Sequence, residues 1–218
     1  MKKIVGLIIV VCLAIAITPR AYTIFKARND FKMAEVRVEE AIAAGRTVID
    51  FKGLKSLSQI PARVRDIEGL WYFSAAGTKV ADVSVLSDLP DLKSVYLADT
   101  RVADLSPLRS NGLLEQLDIG RTWVFDLQPL MDLPRLRWLQ MDRIAVKSIC
   151  PLQKVHGLNW INFYQSYAND GSQECFRKLE QRVKEVGGGN SYRQNYIPGA
   201  PYKLTVWFDQ FLKYWEWR

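Results

Sequence analysis

Residues 92–108 read LKSVYLADTRVADLSPL and residues 114–130 read LEQLDIGRTWVFDLQPL. The two phrases lie 22 residues apart and agree at the apolar first, fourth and sixth places, at Thr in the ninth, at Val in the eleventh and at the closing Asp-Leu-x-Pro-Leu. The same interval extends outward in both directions. Leu70, Leu92, Leu114, Leu136 and Leu158 form one column. Phe73, Val95, Leu117, Leu139 and Ile161 form a second, and Ala75, Leu97, Ile119, Met141 and Phe163 a third. Further columns are Val80, Val102, Val124 and Val146; Val83, Leu105, Leu127 and Ile149; and Leu86, Leu108, Leu130 and Leu152. A period this strict outranks every other signal in the chain.

The spacing carries its own geometry. The last two apolar residues of LxxLxL alternate with polar ones, so they point to one side of a strand. The later apolar columns are too distant to share that strand, and the chain must turn to bring them back beneath it. One such coil cannot cover its own apolar face; stacked coils form a continuous core. Asp82, Asp104 and Asp126, with Ser148 in the fourth turn, precede the closing apolar pair of each coil. All four are residue types that cap the start of a helical turn. Aligned carboxylates also suggest a metal ladder, but Ser148 breaks the column and no other ligand type accompanies it.

The repeat, written LxxLxLxxTxVxDLxPLxxLPx, resembles the leucine-rich repeat family, and within it the short bacterial kind seen in internalins. The likeness covers about 100 of the 218 residues. It implies an α/β solenoid, right-handed, with one short parallel strand per repeat on a concave face and a tight helical turn on the convex face. It also implies a scaffold that binds another macromolecule and rarely catalyses anything.

The ends of the array require caps. From Asn29 to Gly45 the pattern is helical, with Phe31, Ala34, Val38, Ala41 and Ile42 on one face, Asn29 or Asp30 as cap and Gly45 as stop. A coiled-coil or membrane-surface helix is the alternative. RTVIDFKG then alternates as a strand, and counting back 22 from Phe73 reaches Phe51, a degenerate first repeat. Asn111 and Gly112 stand where neighbouring repeats have Leu and Pro, which predicts a small bulge. The period is expected to end after Phe163. NDGS at 169–172 reads as a turn and SQECFRKLEQRVKEV at 172–186 as a helix with Cys175, Phe176, Leu179 and Val183 inward, before a hinge at GGGN, 187–190. The tail, LTVWFDQFLKYWEWR at 204–218, holds three of the seven tryptophans. It reads as a second cap, a protein-docking helix or an interfacial helix. The expected division is 1–21 leader, 22–47 N-terminal cap, 48–165 solenoid and 166–218 C-terminal cap and tail.

Residues 1–18, MKKIVGLIIVVCLAIAIT, pair a basic start with some 15 apolar residues, a signal peptide or signal anchor. Fifteen residues span about 22 Å as a helix, short of a hydrocarbon core of about 30 Å. Snorkelling of Lys3 and Arg20, with Tyr22 and Phe25 at the interface, makes up the difference. Cys12 follows Val11 where a lipoprotein signal needs a small residue. An uncleaved single-pass anchor is therefore expected, with cleavage after Ala14-Ile15-Ala16 and release to periplasm or medium as the alternative. The basic residues after the run favour a cytoplasmic orientation. Cys150 and Cys175 favour export, because a bridge there would tie the open end of the solenoid to its cap; two buried free thiols are the other reading.

Formal charge is +7, but without Lys2, Lys3 and Arg20 the chain has 27 basic against 23 acidic residues, scattered among one another. No basic stripe marks a nucleic-acid binder. His156 is the only histidine, and there is no GxSxG, phosphate loop, HExxH or CxxC. Neither an enzyme nor a cofactor is indicated. What remains is the concave face. Its outward strand positions are Tyr72, Ser94, Gln116, Trp138 and Trp160, then Ser74, Tyr96, Asp118, Gln140 and Asn162. An outward aromatic gains nothing unless something covers it, and Trp and Tyr are enriched at binding hot spots. Trp138 and Trp160 are expected to form a ledge, with Tyr164 on its flank, Tyr72 and Tyr96 on the same face, and Arg137 and Asp142 as a charged rim. The expected role is a membrane-anchored, outward-facing module that recognises or scaffolds another protein. The alternatives are a secreted adhesin-like factor and a structural subunit docked by the aromatic tail.

Overall fold

The computed structural model describes residues 19–168 and 173–185. The leader to Thr18, the turn at 169–172, the hinge and the aromatic tail lie outside the described residues, and so does the side chain of Val183.

Six three-residue strands, one per coil, form a single parallel sheet: β1 (Val48–Asp50), β2 (Tyr72–Ser74), β3 (Ser94–Tyr96), β4 (Gln116–Asp118), β5 (Trp138–Gln140) and β7 (Trp160–Asn162). From β2 onward each residue pairs with the one 22 positions later, as in Leu117 with Leu139. The chain is therefore a leucine-rich repeat solenoid with one strand per repeat. The middle residues Phe73, Val95, Leu117, Leu139 and Ile161 are buried, as are all the convex columns read from the sequence. Because equivalent residues of successive coils meet, the core is one continuous stack.

Short 3-10 turns return each coil along the convex side, at Ala62–Asp66, Ser84–Leu86, Ser106–Leu108, Gln128–Asp132 and Cys150–Lys154. The capping column sets where they start. Asp82, Asp104 and Asp126 each accept the amide of the first residue of the turn, at 2.8, 2.8 and 2.9 Å, and the Ser148 hydroxyl does the same for Cys150 at 3.0 Å. That bond holds the Asp104 carboxyl below its ordinary range. Pro107, Pro129 and Pro151 follow, where a missing N–H costs nothing. The Thr column works from inside: Thr78, Thr100 and Thr122 are buried and donate to the carbonyls of Ala75, Leu97 and Ile119.

Several expectations are corrected. Ile49, and not Phe51, pairs with Phe73, so the first interval is 24 residues and Phe51 occupies the Ala75 column. The sequence count missed two extra residues in the first convex segment, whose capping column is absent. No bulge forms at Asn111. Its amide takes the same Leu108 carbonyl bond that Leu133 makes to Leu130, and its side chain, fully buried, donates to the Leu86 carbonyl of the preceding coil at 2.9 Å. The polar residue fits because the neighbouring coil supplies a partner. The period also outlasts Phe163: β6 (Ala145–Val146) pairs with β8 (Tyr167–Ala168), still 22 residues apart.

Helix α1 (Pro19–Ala43) covers the first coil with Ala34, Val38 and Ala41. It begins ten residues before Asn29, so the expected boundary between leader and cap at 21/22 falls inside one helix. Asp30 is no cap. It is buried mid-helix and accepts the Ser56 amide at 2.7 Å, fastening α1 to the first coil. Arg37 closes the sheet edge by donating to the carbonyls of Asp50 and Lys52.

At the other end α2 (Gln173–Glu185) packs on the last 3-10 turn. Leu179 is buried, Phe176 meets Phe163 edge-on at 5.6 Å, and Arg182 donates to the carbonyls of Leu152, Gln153 and Val155. Cys150 and Cys175 are disulfide-bonded with Cα atoms 5.1 Å apart. The bridge closes a 25-residue separation, so reduction is expected to destabilise the native domain by about 3 kcal/mol. Thermal melts with and without a reductant check this; the expected result is a lower midpoint with reductant and no free thiol at either position before it is added.

Candidate binding face

The pleat of the short strands decides which side chains reach the concave surface. With the middle residue of each strand inward, its two neighbours point out. Strands about 4.8 Å apart then hold side chains of one column within ring-contact distance. Trp138 and Trp160 stack with centroids 4.6 Å apart and planes 8° from parallel, the ledge read from the sequence.

The row is longer than that pair. Tyr72 and Tyr96 lie 5.3 Å apart, Tyr96 and Trp138 6.2 Å, and Trp71 joins Tyr72 at 5.8 Å. Ser94 and Gln116 leave a gap in the Trp138 column, and Tyr96 leans across it from the next column, its hydroxyl donating to Gln116 Oε1 at 2.8 Å. Burial raises the Tyr72 and Tyr96 hydroxyls above their ordinary values, so both stay protonated donors. Column-by-column reading placed these tyrosines on the right face without showing that they connect. A contact between columns depends on side-chain reach as well as register.

The rim differs from its expected form. Arg137 is exposed beside the ledge. Tyr164 is exposed too, with the Arg143 guanidinium 6.0 Å above its ring. Asp142, however, is only 7% exposed and is no rim charge. It belongs to a polar network next to the aromatic row. Arg121 binds Asp99 through two nitrogens at 2.7 and 2.8 Å and Asp142 through a third at 3.2 Å, while Gln140 donates to Asp142 at 2.6 Å. A bidentate guanidinium holds its carboxylate in one geometry.

Two backbone features build that network. The residues at 77, 99, 121, 143 and 165 all have positive φ, from 54 to 73°, one left-handed step in each coil after its strand. Gly77 takes it without strain, whereas Asp99, Arg121, Arg143 and Gln165 adopt it as non-glycine residues. Gly120 gives room: a Cβ there would lie 2.3 Å from Asp142 Oδ1. The sequence signals for this turn are Gly77 and, 24 residues earlier, Gly53 with φ 91°, since the later coils fill the column with ordinary polar residues.

Asp118 completes the group, accepting the Gly120 amide at 2.9 Å. Burial pushes its carboxyl up to about 6, with Asp142 and Asp99 adding to the rise and the Gly120 amide and Arg121 opposing it. Among the described residues no cluster of three metal-ligand side chains has metal-binding geometry. The Cys150 sulfur is in the bridge, so it forms no reactive dyad with His156, which is exposed.

No family model and no curated protein sequence matches the chain. Among solved structures, an internalin (inlF) from Listeria monocytogenes is 17% identical with a TM-score of 0.55, over 73% of this chain and 51% of that one. A leucine-rich repeat protein from Leptospira interrogans is 18% identical with a TM-score of 0.53, over 58% of this chain and 33% of that one. The chain thus spans about half the internalin and a third of the Leptospira protein, and what it shares with them is the fold.

The raised Asp118 carboxyl has a pH signature. Its folded value lies above an unfolded value of about 3.9, so the folded state binds the proton more tightly. The stabilisation is present below pH 4 and is lost as pH rises through about 6. Asp118→Asn keeps an acceptor for Gly120 and removes the charge. Melts between pH 4 and 8 are expected to give a higher midpoint than wild type above pH 6, with that part of the pH dependence abolished.

Proposed function

We propose that this leucine-rich repeat chain is a protein-recognition module whose partner seats on the concave aromatic row. The observation that carries the reading is the unbroken sequence of rings Trp71, Tyr72, Tyr96, Trp138 and Trp160, all outside the core that holds the coils together. A solenoid core is complete without them. Rings that contribute little to folding and lie side by side on an open concave surface supply the large, rigid apolar contacts typical of hot spots. The neighbouring Arg121–Asp99–Asp142 network adds a preorganised polar border, and exposed Arg137 a charge at the edge. An apolar centre beside polar groups is the usual anatomy of a protein interface.

The reading extends to presentation from a membrane with the repeats outside the cytoplasm. The uncharged run at 4–18 behind Lys2 and Lys3 supports an anchor, and the Cys150–Cys175 bridge supports an oxidising compartment. Among the described residues no helix is long and apolar enough to cross a membrane, and the run at 4–18 lies outside them.

Trp138→Ala with Trp160→Ala is the direct test. The double variant is expected to stay folded by circular dichroism and to lose at least about 2 kcal/mol of binding, roughly thirtyfold in affinity, towards the partner that wild-type protein captures from its own membranes. Lys79→Ala with Arg101→Ala, away from the concave strands, is expected to change neither. An unfolded Trp variant would make the ledge a structural contact, and a folded variant that binds normally would move the site elsewhere.

A further inference from the structure

Helix α1 is apolar on two opposite sides. Ala34, Val38 and Ala41 are buried against the first coil, which is all that a cap requires. Tyr22, Phe25, Met33 and Val36, with Asn29 between them, recur at helical spacings on the other side. They are 57, 69, 44 and 42% exposed. The helix also outruns the solenoid: residues 21–26 are all exposed, and the first buried position is Asp30. Among the described residues this second apolar stripe takes no part in the core, and such a patch marks an interaction surface.

Charge identifies what covers it. Lys26 and Lys32 flank the stripe and Arg28 stands beside them, while no acidic residue occurs between Pro19 and Asn29. Asp30, the first carboxylate, is buried and engaged with Ser56. Of the later ones Glu35 is exposed but stands about a third of a turn round the helix from the stripe, Glu39 faces Arg63, and Glu40 lies beyond Val36. A second copy of the chain would bring lysine against lysine with no carboxylate in the first three turns to neutralise them. A surface rich in phosphates meets the same residues with opposite charge, and an aromatic-and-lysine stripe is suited to headgroup depth. The helix also follows directly on an uncharged run, 4–18, in the sequence.

We propose that the outer face of α1 from Tyr22 to Val36 lies flat on an anionic lipid surface, with Tyr22 and Phe25 inserted among the headgroups and Lys26, Arg28 and Lys32 against their phosphates. The N-terminal end of the solenoid then sits on the membrane and the concave face opens sideways, away from the lipid. The proposal shares no residue with the concave site, so either can fail alone.

Nitroxide labels test it in the full-length chain carrying Cys12→Ser, with Cys150 and Cys175 left bridged. Phe25→Cys, Met33→Cys and, as control, Lys79→Cys are labelled one at a time. Collisions with oxygen and with a water-soluble nickel complex are then measured in vesicles of phosphatidylcholine with and without phosphatidylglycerol. With phosphatidylglycerol present, the labels at 25 and 33 are both expected to lose nickel accessibility, while the label at 79 keeps it. Lys26→Gln with Lys32→Gln is expected to return the label at 33 to water. A helix standing upright would carry residue 33 about 12 Å beyond residue 25. Nickel accessibility at 33 in both vesicles would therefore overturn the proposal. So would equal protection in neutral vesicles, or spin–spin broadening that reveals a second copy on the stripe.

Discussion

Everything in the structure depends on equivalent residues of successive coils meeting 22 positions apart. A single coil has three paired backbone residues and an apolar face it cannot cover, so it holds no structure alone. Stacked in register, Phe73, Val95, Leu117, Leu139 and Ile161 form one buried row, and the convex columns form others beneath it. The constraint explains the rest of the repeat. Capping Asp residues fix where three of the convex turns begin and Ser148 a fourth, buried Thr residues tie down the carbonyl that follows three of the strands, and caps at both ends stop the core from opening to water.

The same constraint frees the concave surface for function. Because the register is held from inside and beneath, the outward strand positions are under no packing demand. In this chain they carry tyrosine and tryptophan on four of the coils. Regular strand spacing turns residues scattered through the sequence into a row of rings in contact. Beside it the repeated left-handed step aims Arg121 between Asp99 and Asp142, so a polar cluster from three coils borders rings from four.

Legibility in the sequence followed the strength of the period. The columns from Leu70 to Phe163 were readable because burial selects the same residue type at every turn. The first coil was misregistered by two residues because its convex half, LKSLSQIPARVRDI, has neither the Thr nor the capping Asp to count from. Asn111 was misread as a bulge because a lone polar residue in a core column signals disruption unless its partner, here the Leu86 carbonyl, is known. Asp142 was placed on the rim because its column is outward. Its burial depends on Arg121 reaching over from the coil before and on the space left by Gly120, neither of which has a periodic signature. The early start of α1 has no signature in the sequence because its first turns are exposed and bury no apolar face against the described core.

The central claim is that the aromatic row is where the partner sits. A photo-crosslinking amino acid placed at Trp138, at Tyr72, and separately at Arg101, each in otherwise intact protein irradiated in its own membranes, tests this directly. Positions 138 and 72 are expected to join to the same partner, giving one discrete adduct of equal mass gain, and position 101 to give none. An adduct formed from position 101 but from neither concave position would contradict it.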